Sequence, residues 1–131
     1  MTFYDKYHQT LFTNITQRMK NADCYHIAVA YLISLDSVCS EHLEDVFDFE
    51  NDFIKPECLH SGWQTGTSGK TLRLAFNLWN GYCSNGDTYT DKNGHHSPLP
   101  SGDDSVDSIF CSTYAPYYWE AVKLRYPEYT V

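Results

Sequence analysis

The sequence predicts an all-α protein, a single compact domain over residues 1–131 with about five helices. Three observations support this fold class. Apolar residues recur at helical spacing through most of the chain. Serine, threonine and aspartate stand where these segments begin, as helix caps do. Only Asn93-Gly94 gives a turn signal between short β-prone segments, which predicts at most one small hairpin within residues 85–110.

The first predicted helix runs from about Phe3 to Lys20, and a second, capped by Asp23, spans Cys24 to Leu35. The second segment is apolar on nearly every side, which predicts a central position in the fold. The first helix should bury the stripe Tyr4, His8, Leu11, Phe12, Ile15 and Met19. The second should point Tyr25, Ala28, Val29 and Leu32 inward.

Three further helices are predicted. One begins at Ser37 or Ser40 and ends near Phe47, and the next follows a Gly66–Gly69 loop and ends near Tyr82. The last is capped by Thr113. Within these, Leu43, Val46, Ala75 and Cys83 are expected to be buried, and Asn80-Gly81, Pro116 and Pro127 mark helix ends. The predicted core comprises Leu11, Phe12, Ile15, Tyr25, Val29, Leu32, Leu72, Phe76, Trp79, Trp119 and Val122.

Composition excludes several classes of protein. The net charge is −8 and the nine basic residues are scattered, which disfavours direct nucleic-acid binding. No apolar run approaches the roughly 20 residues of a membrane span, and the first residues lack the plan of a signal peptide. Five widely spaced cysteines, an odd number, favour reduced thiols. We therefore expect a cytoplasmic protein that does not act on membranes.

The most informative stretch is Gly62–Gly81, where glycine, serine and threonine lead into an amphipathic helix. It is not a nucleotide-hydrolase loop, because the first glycine of that motif would fall on Gln64. A looser phosphate or carboxylate site remains, since N–H groups at a helix start bind anions. A solvated helix face is the more common meaning of such a pattern. The candidate ligand-binding residues are Trp63, Thr65, Thr67, Ser68, Lys70, Arg73 and Asn77, with Trp63 placed to stack on a base.

A second candidate surface is acidic. Glu41, Glu44, Asp45 and Asp48 repeat at i, i+3, i+4 and i+7, which predicts a carboxylate stripe along the third helix. Such a stripe can enter a basic channel of a partner protein or chelate a cation. An ordinary solvated face is the default alternative.

Metal and catalytic motifs are incomplete. Cys39 and His42 have Cys-x-x-His spacing, and Cys58 and His60 have Cys-x-His spacing, but no Cys-x-x-Cys accompanies them. The segment from His42 to Cys58 only partly matches the zinc-deaminase signature, which needs adjacent Pro-Cys. The aspartates after residue 86 do not fit a calcium loop. We therefore assign no cofactor, metal or catalytic residue and favour a protein that is not an enzyme.

Four segments resemble a family of small proteins found in phages, prophages and mobile elements of Gram-positive bacteria. They are Ile54–Cys58, Gly62–Thr67, Arg73–Gly81 and Tyr114–Tyr129, roughly the C-terminal two thirds of the chain. The family has no assigned reaction or ligand. The resemblance implies an intracellular accessory protein of a phage or mobile element. By analogy with other small acidic proteins of this kind, we expect it to bind and inhibit a bacterial defence component. The alternatives are a sponge for a small phosphorylated nucleotide at the loop before the fourth helix and, ranked lower, a hydrolase of that nucleotide. Eleven tyrosines are compatible with a homodimer.

Overall fold

The structure is a computed structural model that describes residues 1–83, 88–90, 92–94, 96–98 and 104–129, with residues 88–90 and 96–98 described by their backbone. Helices dominate these residues, which confirms the all-α fold class. The helices are α1 (Lys6–Arg18), α2 (Cys24–Leu35), α3 (Ser37–Glu41), α4 (Leu43–Val46), α5 (Gly66–Asn80), α6 (Val106–Phe110) and α7 (Ala115–Arg125). Short 3-10 turns cover Pro56–His60 and Pro127–Tyr129. Within the described ranges, no helix is both long and apolar enough to cross a bilayer.

Helix α2 is the centre of the fold and packs against α1, α5 and α7. Its predicted bounds and cap are confirmed, because the Asp23 side chain accepts a hydrogen bond from the backbone N–H of His26. Every residue from Ala28 to Leu35 is buried. The segment is apolar on nearly every side because it must bury its surface against three neighbouring helices.

The predicted core is confirmed for most of its members and wrong for two. The fully buried members are Ile15, Val29, Leu32, Leu72 and Phe76, and the half-buried ones are Leu11, Phe12, Trp79 and Val122. Tyr25 is 41% exposed, because its ring stacks under the Arg125 guanidinium instead of entering the core. The guanidinium carbon lies 3.7 Å from the ring centroid. Trp119 is 53% exposed and packs one side on Phe110, with ring centroids 4.6 Å apart. Tyr4 and Cys83, also predicted to be buried, are exposed.

The third predicted helix is broken in two. His42 adopts a non-helical conformation between α3 and α4, and Asp36 rather than a serine caps α3. The chain then leaves the helix at Phe47 and forms strand β1 (Phe47–Asp48), which pairs antiparallel with β2 (Phe53–Ile54). The intervening turn contains Asp52 at φ +59°, a left-handed conformation that aspartate tolerates better than most residues.

Helix α5 starts earlier than the glycines suggest. Gly66 to Gly69, predicted as a loop, form the first helical turn, and Thr65 is the N-cap. The predicted stop is confirmed, because Gly81 ends the helix in a left-handed conformation at φ +77°. A terminal glycine at this position is a common helix stop.

The predicted hairpin is confirmed, with Asn93-Gly94 between β3 (Thr88–Thr90) and β4 (His96–Pro98). The expectation of at most one hairpin is wrong, because β1 and β2 form a second antiparallel pair. The sequence did not predict α6, which Ser105 caps and Ile109 anchors in the core. Helix α7 begins after Tyr114, so Thr113 is not its cap.

Candidate anion-binding cleft

The start of α5 borders a cleft of about 290 Å³. The cleft lies between α5, the 3-10 turn Pro56–His60 and α6. Three of the predicted ligand-binding residues, Thr65, Lys70 and Arg73, line it together. Five lining residues were not predicted: Leu59, Gln64, Gly66, Gly69 and Ser108.

Two glycines of α5 line the cleft. A Cβ atom added to Gly66 or to Gly69 would meet no other atom within 4 Å. Both residues are in the helix, so neither is required here for a left-handed backbone. Both glycines therefore border open space along the first turn of α5.

The N-terminus of α5 is only partly capped. The Thr65 hydroxyl accepts from the Ser68 N–H at 3.0 Å, and the Ser68 hydroxyl accepts from the Thr65 N–H at 2.8 Å. The Ser68 hydroxyl also donates to the Gln64 side-chain oxygen at 2.5 Å. Among the described residues, none supplies an acceptor for the N–H groups of Gly66 and Thr67. These two donors stand at the positive end of the helix dipole.

The two cationic residues of the cleft, Lys70 and Arg73, each contact a residue close to one end of α6. Lys70 Nζ donates to the carbonyl oxygen of Cys111 at 2.5 Å. One Arg73 guanidinium nitrogen lies 3.4 Å from Oδ1 of Asp104, and both of these side chains are largely buried. An ammonium group has three donors, so Lys70 can hold the carbonyl and an anion together. Two cationic side chains therefore line the cleft, and one of them, Arg73, is paired with the carboxylate of Asp104.

Four of the predicted ligand-binding residues lie outside the cleft lining. Ser68 is completely buried and its hydroxyl serves the capping box. The Trp63 ring is stacked on His42, with centroids 4.1 Å apart and planes 4° apart, so this ring face is already covered. Thr67 is exposed, and Asn77, two turns further along α5, donates to the Tyr82 carbonyl at 3.2 Å. The prediction that these residues surround one ligand is not supported by their positions.

The predicted acidic stripe is not one helical face. The break at His42 divides it, so Glu41 ends α3, Glu44 and Asp45 are on α4, and Asp48 is in β1. All four carboxylates thus belong to three elements rather than one, which corrects the sequence prediction.

The acidic residues also differ in their partners. Glu44 pairs with Arg18 at 2.5 Å, and Asp45 lies 3.5 Å from Nδ1 of His42. The Asp48 carboxylate accepts hydrogen bonds from the side chain and backbone of Asn51, which lower its pKa and stabilise the β1–β2 turn. Asp48 is therefore a turn-forming residue, whereas Glu41, Glu44 and Asp45 are exposed.

The cysteines that stood near histidines in the sequence are buried thiols. Burial raises the pKa of Cys58 to about 12 and that of Cys39 well above its ordinary value. Both side chains are therefore protonated near neutral pH, in contrast to catalytic or metal-bound cysteines. All five cysteines are unpaired. In the part of the chain that the structure describes, no group of three His, Cys, Asp or Glu side chains is arranged to hold a metal ion.

The chain is similar to a known protein family. A family model described as a family of unknown function matches residues 1–131. The match extends beyond the C-terminal two thirds that carried the resemblance and includes α1 and α2. Neither the comparison with curated proteins nor that with solved structures found a match.

Proposed function

For this chain, which belongs to the family of unknown function DUF6075, we propose a binding role in which the α5 cleft holds a small anionic ligand. The observation that supports it is the position of Lys70, Arg73 and Gly66, the first residue of α5, along one open cleft. The chain as a whole carries a net charge of −8. The two cationic side chains at this cleft therefore differ in sign from the overall charge of the protein. Helix N-termini combined with lysine or arginine are a recurring way of binding phosphates.

The size of the cleft indicates the size of the ligand. Its volume of about 290 Å³ is at the lower end of ligand pockets, roughly 300–1,000 Å³. A phosphate group with a small substituent suits this space. Leu59 supplies an apolar wall, while Gln64 and Ser108 supply hydrogen-bonding groups for the rest of the ligand.

We favour sequestration of a small phosphorylated nucleotide over its hydrolysis. The described lining residues contain no histidine, cysteine or carboxylate that can serve as a general base or nucleophile. The carboxylate of Asp104 is paired with Arg73. In this proposal the protein acts as a sponge for the nucleotide in the cytoplasm of a Gram-positive bacterial host, carried there by a phage or mobile element.

A second candidate function uses the acidic surface. Glu41, Glu44 and Asp45 are exposed on consecutive short helices, and the net charge of the chain is −8. These features support an inhibitor that binds a basic host defence protein. Asp48 is excluded from this surface because it holds the β1–β2 turn.

The first experiment compares two lysine variants. Inorganic phosphate and adenosine monophosphate are titrated against wild type, Lys70→Gln and Lys123→Gln by calorimetry. Lys123 is an exposed lysine on α7, so its replacement makes the same charge change outside the cleft. We expect Lys70→Gln to weaken binding about 10-fold or more, the effect of one charge-assisted hydrogen bond, and Lys123→Gln to leave it unchanged. Equal affinities in the three proteins, or no saturable binding by either probe, would contradict the proposal.

The second experiment separates a sponge from an inhibitor. Protein purified from bacteria is denatured, and released small molecules and co-purified proteins are identified by mass spectrometry. The variants are Lys70→Gln and a Glu41→Lys/Asp45→Lys double change, which avoids Asp48 and the Arg18 partner Glu44. Loss of a released nucleotide only in the lysine variant supports the sponge. Loss of a co-purified protein only in the charge-reversed variant, together with binding that weakens in salt, supports the inhibitor.

A further inference from the structure

A second cleft, of about 170 Å³, lies where the start of α1 meets the end of α2 and the start of α7. Three tyrosine rings line it, those of Tyr4, Tyr7 and Tyr114. It shares no lining residue with the α5 cleft. It is therefore a separate site, and its role does not depend on the proposed function.

Aromatic contacts hold the Tyr4 and Tyr114 rings in place, and Tyr4 and Tyr7 are open to solvent. The Tyr4 ring makes edge contacts with Tyr114 and Tyr117, at centroid distances of 5.6 and 5.5 Å. Tyr4 is nevertheless 53% exposed and Tyr7 63% exposed. Aromatic faces carry negative electrostatic potential and attract cations within about 6 Å of the ring centroid. The exposed Tyr4 and Tyr7 and the half-buried Tyr114 line one small cleft, a composition that is suited to a cation.

The histidine that lines this cleft is uncharged. His8 is buried there, and its Nδ1 accepts the Tyr4 N–H at 3.0 Å. The ring proton is therefore on Nε2, which donates to the Tyr31 carbonyl at 2.9 Å. Burial lowers the pKa of His8, so the ring is neutral at physiological pH. The described lining residues include neither lysine nor arginine.

One carboxylate lines this cleft, and a second acts on one of its tyrosines. Asp5 lines it and accepts the His8 N–H at 2.7 Å, and a carboxylate has further lone pairs for a ligand. The buried Asp36 acts on the Tyr114 hydroxyl, because burial first and the Asp36 charge second raise the Tyr114 pKa. Tyrosine rings with a nearby carboxylate are the usual composition of sites for ammonium and guanidinium groups.

We propose that this cleft binds a basic side chain of a partner protein, with the cationic head between the Tyr4, Tyr7 and Tyr114 rings and Asp5 as its counter-ion. The small volume fits a guanidinium or ammonium head better than a large ligand. The net charge of −8 favours the approach of a basic partner segment.

The test uses a capped Gly-Arg-Gly peptide and the same peptide with citrulline, which is nearly isosteric with arginine and uncharged. Binding is followed by NMR of the isotope-labelled protein. We expect the arginine peptide to shift the signals of Tyr4, Tyr7 and His8 saturably, and the citrulline peptide to bind at least about five-fold more weakly. No saturable shift, or equal binding of the two peptides, would overturn the proposal.

Two variants and one control locate the site. Asp5→Asn removes the charge and keeps a good N-cap for α1, so the fold is retained. Tyr7→Leu removes one exposed ring, and Tyr129→Leu removes a ring that is 80% exposed outside the cleft. We expect about five-fold weaker arginine-peptide binding in each of the first two and no change in the third. Equal losses in Tyr7→Leu and Tyr129→Leu, or full binding in Asp5→Asn, would overturn the assignment.

Discussion

Nε2 of His26 lies 2.8 Å from Oδ1 of Asp52, and this contact joins the start of α2 to the β1–β2 turn. Nδ1 of the same ring lies 2.7 Å from Oδ1 of Asp23. Only a protonated imidazole donates from both nitrogens, so this arrangement favours the charged form. Burial alone lowers the pKa of His26, but hydrogen bonds to Asp23 and Asp52 and the charges of these residues outweigh burial and raise it.

This contact makes the stability of the fold depend on pH. A histidine whose pKa is raised by folding stabilises the fold fully below its unfolded pKa, about 6.5, and this stabilisation is lost as the pH rises through the folded pKa. We expect Asp52→Asn to lower the His26 pKa, measured by NMR, and to cost about 1–2 kcal/mol of unfolding free energy at pH 6 but less at pH 8.

Asparagine is the matched replacement because it also tolerates the φ of +59° at position 52. His8 contributes to the pH dependence of stability with the opposite sign. Folding lowers its pKa, so its contribution reduces the free energy of unfolding as the pH falls. The His8 contribution is present in both wild type and Asp52→Asn. The difference in unfolding free energy between these two proteins therefore reports on His26. A difference in unfolding free energy that is the same at both pH values would contradict the role of this contact.

Glycine replacements distinguish the two ends of α5. Gly69→Ala should raise the unfolding free energy by about 0.5–1 kcal/mol, because Gly69 is helical and the added methyl group meets open space. Gly81→Ala should lower it by about 1–2 kcal/mol, because Gly81 has φ +77°. Urea unfolding of both variants tests this, and stabilisation by both changes would contradict the described cap.

Arg125 connects α7 to two other helices. Its Nε donates to the Leu78 carbonyl at 2.8 Å, and its guanidinium lies over the Tyr25 ring. We expect Arg125→Gln to cost about 2 kcal/mol of unfolding free energy, and Arg125→Lys to recover less than half of it, because a lysine cannot both stack and donate in this geometry. Lys123→Gln, an exposed change on the same helix, should stay within about 0.5 kcal/mol. If Arg125→Lys retained the full unfolding free energy of wild type, the positive charge alone would stabilise this contact, and the role of the guanidinium geometry would be contradicted.

The local part of the fold was predictable, and the parts that depend on distant contacts were not. Asp23 and the apolar segment after it determine α2 through capping and burial, which act within a few residues. Tyr25 fits the same apolar stripe, but Arg125, 100 positions away, holds its ring at the surface. His42 interrupts a good helical pattern between α3 and α4, where its ring stacks on Trp63, a residue from a distant part of the sequence.

The candidate cleft was predictable only on its α5 side. The spacing of Lys70 and Arg73 indicated a polar face, and the capping pair Thr65 and Ser68 would have located the helix start. Ser108 comes from α6, a five-residue helix with no sequence pattern of its own. Its place beside α5 results from packing of Ile109 into the core.

The most direct test of the central claim is an NMR titration of the backbone amide groups with inorganic phosphate. If the α5 cleft binds anions, the amide signals of Gly66 and Thr67 shift saturably, because their N–H groups are the unengaged donors at the helix start. Gly81, at the opposite end of α5, should not shift. Saturable shifts at Gly66 and Thr67 that disappear in Lys70→Gln are the predicted result. Equal, linear shifts at all three residues would show unspecific salt effects and contradict the anion-binding cleft.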